Sequence, residues 1–198
     1  MTIINDGTGS GKAAKVDNKN RLETVTISTD IQQEASINKN LFRISTPMVT
    51  LTSANTSTLL YVKNDDPDNN LIVPEIAIAV GNSTGNTAGD LVTSIGRANV
   101  TGGTIITDAT AASLIPLNLS VTTAPAITAY SGVEGSTATY PVNLPSYAGF
   151  PQESVSFTPF FITVAPGNNF VLEITPPASN TSMTAQISVR CYLQPIES

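Results

Sequence analysis

Residues 160–175, FFITVAPGNNFVLEIT, decide the fold. Phe160, Ile162 and Val164 recur at every second position, the pattern breaks at APGNN, and Phe170, Leu172 and Ile174 resume it. A period of two sends side chains alternately to opposite faces of an extended chain, so each half reads as a strand with one apolar face. The glycine-containing break predicts a hairpin.

The same alternation extends outward. In MTAQISVRCYL (183–193), Met183, Ala185, Ile187, Val189, Cys191 and Leu193 share a face. Cys191 is therefore expected in the core as a small apolar side chain. Upstream, LLYVKN (59–64) and LIVPEIAIAVG (71–81) flank the turn cluster DDPDNN, with Ile72, Ile76, Ile78 and Val80 on one face. Pro74 has the same inward parity and no N–H for a ladder, which puts it at an edge or a bulge. Shorter candidates are RLETVTIS, MVTLTS, GDLVTSIG, GTIITD and LNLSV.

About eight to ten short strands between Gly-, Pro- and Asn-rich turns predict an all-β chain, an antiparallel β-sandwich of jelly-roll type. Residues 1–21 are expected to be a flexible N-terminal arm and residues 22–198 the sandwich domain. Within that domain, residues from about 109 to 152 are expected to be long loops because of their Pro, Gly and polar content.

The opening GTGSGKAA superficially resembles a phosphate-binding loop, but Ala13 follows Lys12 where Ser or Thr must hold magnesium, and Asp6 stands at the first glycine position. Of 198 residues none is His, and the one Cys forms no internal disulfide. Histidine-based triads and most zinc sites are thereby excluded. Scattered acids without Trp make a poor glycosidase, and no enzymatic activity, cofactor or metal site is expected. NDDPDNN (64–70) offers oxygen ligands, yet has Asn70 and Ile76 where a calcium loop counted from Asp65 needs Gly and Glu. A turn explains it.

The net charge of −6 argues against nucleic acid as a partner, and no apolar run is long enough to span a membrane as a helix. The N-terminus also lacks a signal-peptide layout. Positive charge is concentrated at Lys12, Lys15, Lys19 and Arg21, which mark the arm as a protein-binding segment. Tyr130, Tyr140 and Tyr147 make a second candidate contact surface, because Tyr adds rigid area with a polar tip.

GKAAKVDNKNRLETVTIS followed by EASINKNLFRIST resembles the leader of small virion proteins of tailed bacteriophages, and LLYVKNDDPDNNLIVPEIAIAVG is similar to strands that follow in them. The resemblance implies a structural component of the virion, made in the host cytoplasm. Within the particle it implies a capsid decoration (cement) protein, or a neck or head-fibre protein, bound to the major capsid protein or other virion proteins. It also implies a homo-oligomer, most plausibly a trimer, an expectation reinforced by sheet edges with few lysines to protect them. The alternative from the residues themselves is a carbohydrate- or receptor-binding sandwich that uses the tyrosine region.

Overall fold

The alternating segments pair into antiparallel sheets, as β-branched residues with one apolar face require. The structure, a computed structural model, describes residues 3–5, 13–16, 22–23, 35–36, 40–84, 91–97, 110–118, 120, 124–138, 142–149, 155–157 and 162–196. The chain divides into two units, residues 1–31 and residues 32–198.

The first unit holds a three-stranded antiparallel sheet of β1 (Ile3–Asn5), β2 (Ala13–Val16) and β3 (Leu22–Glu23). Where the sequence suggests an extended arm, Ile3 pairs with Lys15 and Lys15 with Glu23. Strands of two to four residues are too short to show a period.

The second unit is an all-β antiparallel sandwich. Its first sheet follows the order β10 (Ser113–Pro116), β4 (Leu41–Ser45), β16 (Ser182–Pro195), β7 (Asn69–Thr84) and β13 (Val155–Phe157). β5 (Val49–Leu51) also pairs with β16, and β14 (Ile162–Val164) with β7. The second sheet runs β12 (Val142–Gly149), β8 (Leu91–Arg97), β15 (Asn169–Thr175), β6 (Ser57–Asn64), β11 (Ile127–Ser131) and β9 (Thr110–Ala111).

The expected hairpin at 160–175 is instead an arch between sheets. β14 pairs with β7 and β15 with β6 and β8, so the two halves face each other across the core. Gly167, at φ 72°, and the bond from Asn168 N–H to Ala165 O shape the turn. Hairpin and arch share one apolar alternation and one glycine turn, so periodicity does not separate them.

Pro74 sits at a bulge, one of the two positions open to it. Between the pairs Arg190↔Glu75 and Tyr192↔Ile72 the register shifts by a residue, and β13 and β14 pair with β7 on either side of Pro74. A bulge reverses side-chain parity beyond it. Leu71 and Val73 therefore join Ile76 and Ile78 in the core, and Ile72 turns to the other face. There it meets Leu41, Tyr192 and Ala35 in a small second cluster, contrary to the face expected from the sequence.

The main core is built from Phe42, Ile44, Leu60, Val62, Leu172, Ile174, Ile187, Val189 and their neighbours between the sheets. Cys191 lies in it as expected, and burial pushes its thiol up to about 12. Tyr61, Val171 and Glu173 are also buried, so β6 and β15 are covered on both faces.

The stretch of about 109–152 carries four strands in place of the long loops expected. Residues 110–116 leave one sheet for the other: Thr110 and Ala111 pair with β11, and Ser113–Pro116 pair with β4. Strands of two and four residues that change sheet have no sustained pattern to read. The switch joins the sheets along one side. Ala112 N–H is bound to Ala129 O, and Pro116 has no N–H, so this edge offers little to an incoming strand.

Two buried polar groups in this unit differ in kind. Asn64 Nδ2 donates to the carbonyls of Asn69 (2.8 Å) and Val164 (2.9 Å), tying the β6–β7 turn to β14. The Tyr61 hydroxyl has no hydrogen-bond partner, and burial, with smaller repulsion from Asp65 and Tyr130, raises it to about 12. An orphaned buried group costs free energy, whereas a satisfied one stabilises. Asn64→Ala should cost about 2 to 3 kcal/mol in chemical denaturation, and Tyr61→Phe should cost nothing or stabilise by up to about 1 kcal/mol.

Candidate interaction surface

β10 alternates strictly. Leu114 packs on the core while Ser113 and Ile115 point outward, followed by the exposed Leu117. In register beside it, β4 sends Phe42 and Ile44 inward and Arg43 and Ser45 outward. Cross-strand neighbours therefore form rows on the outer face of the first sheet: Ile115, Arg43, Arg190 and Glu75 in one, Ser113, Ser45, Ser188 and Ala77 in the next.

Pro47 breaks the line between β4 and β5, and the break helps to wall a groove of about 630 Å³ lined by Arg43, Ser45, Thr46, Ala111, Ile115 and Gln186 among others. Hydrogen bonds fix its floor. Arg43 Nε donates to Ser188 Oγ at 2.6 Å, Ser188 and Ser45 share a bond of 3.1 Å, and Gln186 Nε2 donates to Thr46 O at 3.0 Å. Arg190 is paired with Glu75 at 3.0 Å, while no carboxylate pairs with Arg43 among the described residues. The groove thus presents an oriented guanidinium beside an apolar side chain, a combination suited to an acidic, partly apolar segment. Strand register is what the sequence withheld here, since Arg43 and Ile115 are far apart along the chain.

Of the residues singled out from sequence, Lys15, Tyr130 and Tyr147 lie on described strands. Lys12, Lys19, Arg21 and Tyr140 lie outside the described residues, and Lys15 stands in the middle strand of the first unit. Tyr130 is on β11, 39% exposed, its ring stacked on Tyr61 with centroids 6.1 Å apart. Tyr147 is on β12, paired with Thr93. The two strands are four places apart in the second sheet, roughly 19 Å, so these tyrosines do not form one loop cluster.

Two of the acids of 64–70, Asp65 and Asp66, are engaged by neighbouring donors. Asp66 Oδ1 accepts from Asp68 N–H (2.9 Å), Asn69 N–H (3.0 Å) and Asn69 Nδ2 (2.9 Å), an Asx-type closure. Asp65 takes Lys63 and Thr128. Burial would raise its carboxyl, but these two partners outweigh that and hold it below its ordinary value.

Glu134, which nothing in the sequence distinguished, latches the loop after β5. It accepts from Thr52 N–H (2.6 Å), Thr52 Oγ1 (2.9 Å), Ser53 N–H (2.8 Å) and Ser53 Oγ (2.9 Å). Burial alone would raise the carboxyl, and the four donors lower it overall.

A scan against protein-family models and a search of curated proteins found no match to this chain.

Two outcomes follow from these acids. A folded carboxyl that titrates below its unfolded value stabilises fully above the unfolded pKa, and that share is lost as pH falls through the folded one. Glu134→Gln should cost about 1 kcal/mol at neutral pH, with the gap to the parent narrowing below about pH 4 in urea titrations. Because the turn supplies donors to Asp65 and Asp66, a strong chelator should leave Tm unchanged, whereas a fall of more than about 5 °C would point to a bound cation.

Proposed function

We propose that this chain is a structural component of a bacteriophage virion, a capsid decoration (cement) protein that binds the assembled head and acts as a homo-oligomer. The observation that carries the reading is the strand order. Followed along the chain, β5, β6, β7 and β8 alternate between the sheets, and so do β12, β13, β15 and β16. Four strands in the order β4, β16, β7, β13 then face four in the order β6, β15, β8, β12. We read this as a jelly roll, two interlocked Greek keys, an architecture recurrent in capsid and lectin domains.

Fold-level analogy alone does not give function. Two features support the virion reading over a glycan-binding one. The AKVDNKNRL and EASINKN phrases resemble virion proteins, and the strands of Tyr130 and Tyr147 are four places apart in their sheet, which separates two parts of the surface a sugar would need. The division at residue 31 also separates a short unit carrying Lys12, Lys15, Lys19 and Arg21 from an acidic body, an arrangement suited to anchoring.

Particles purified from the source of this sequence should contain the chain in many copies per head by quantitative mass spectrometry. Deleting residues 1–31 should keep the melting transition of the sandwich and abolish attachment to particles lacking the native protein. Particles devoid of the chain, or full occupancy by the truncated form, would overturn the respective parts of the reading.

A further inference from the structure

The groove that contains Arg43 has a counterpart on the same molecule. Ile196, 47% exposed, is held beside Asp68 by a bond from its N–H to Asp68 O at 3.3 Å. Asp68 is exposed and its carboxylate has no partner among the described residues. At the end of the β7–β16 ladder, then, an acid and an apolar side chain stand together. The groove pairs a cation with Ile115, also 47% exposed, and Met48 follows its Pro47 wall. Charge and apolar character match between the two patches.

The patches are about six residues apart along β16, roughly 20 Å, so they do not reach each other within one chain. Between them the outer face is not flat. The turn at Ala35 covers Leu41, Tyr192 and Ile72, closed by Asn40 N–H on Ala35 O (2.8 Å) and tied down by Asn118 Nδ2 on Ser36 O (2.8 Å).

We propose that copies of this chain associate with Asp68 and Ile196 of one copy seated in the Arg43–Ile115 groove of another. A second copy is the occupant because residues 32–198 carry 11 acidic against 5 basic side chains, so the body is itself the acidic, partly apolar partner the groove fits. The closed edge at Ala112 and Pro116 directs association to side chains and away from strand addition. The contact can be made once per copy around a closed ring of three, or twice between two copies related by a two-fold axis. This rests on the homo-oligomer part of the proposed function and specifies its surface.

Light scattering and sedimentation of the isolated protein test it without particles. The parent should have the mass of two or three copies at tens of micromolar, on the order of typical weak-complex conditions. Arg43→Asp and Asp68→Arg should each weaken association about tenfold or more with the circular-dichroism spectrum of the folded chain unchanged, and the double variant should recover it, because the charges are exchanged across the contact. Ile115→Ser should weaken association in either background. A monomeric parent, or single reversals that associate like the parent, would overturn the contact. None of those results bears on whether particles contain the chain, so the two failures are separable.

Discussion

The ladder between β7 and β16 is the constraint on which the sandwich depends. It runs from Ser182↔Thr84 to Pro195↔Asn69, and β4, β5, β13 and β14 all attach to one of its two strands. Its inner face supplies Ile76, Ile78, Ala185, Ile187, Val189 and Cys191 to the core, so it also sets what the second sheet must bury. Near one end the ladder is interrupted at Pro74, which cannot donate to it. The resulting bulge divides the face: the core continues inward, and Ile72 with Tyr192 starts a separate cluster outside.

Polar side chains complete what the apolar layers leave open. Asn64 joins the two sheets at one end through backbone carbonyls. Asn180 Nδ2 does similar work elsewhere, donating to Leu51 O and Ser53 O at 3.0 Å each. Glu134 fastens the following residues of the same loop, so the segment linking β5 to β6 is held from two directions. In a sandwich whose strands cross between sheets at nearly every turn, such bonds fix the crossings that a hairpin would fix with its ladder.

Alternation made the β character, the buried Cys191 and the awkward position of Pro74 legible from sequence. It did not tell which strands pair. FFITVAPGNNFVLEIT has the same pattern whether its halves lie side by side or face to face, and only the partners β7 and β6 decide. Ile72 was misplaced because a bulge changes parity without changing composition. Residues 110–116 read as loop from sequence because a strand that divides itself between two sheets is too short in each to show a period. The groove was invisible for a related reason: Arg43 and Ile115 are neighbours only through register, and Glu134 gains its role from partners 81 and 82 residues away.

The position of β16 between β4 and β7 also bears on how the chain reaches its fold. Both neighbours are synthesised long before it, yet neither pairs with the other, since each is hydrogen-bonded to β16. The first sheet therefore has no centre until residues 182–195 arrive and enter it. Loop closure across more than a hundred residues must precede the gain from burial, which makes for slow folding. In the interval Ile76, Ile78, Ile44 and Phe42 lack their native cover, and a growing chain is most prone to aggregate then. The same residues that make the finished sandwich cohesive thus make its assembly dependent on one late strand.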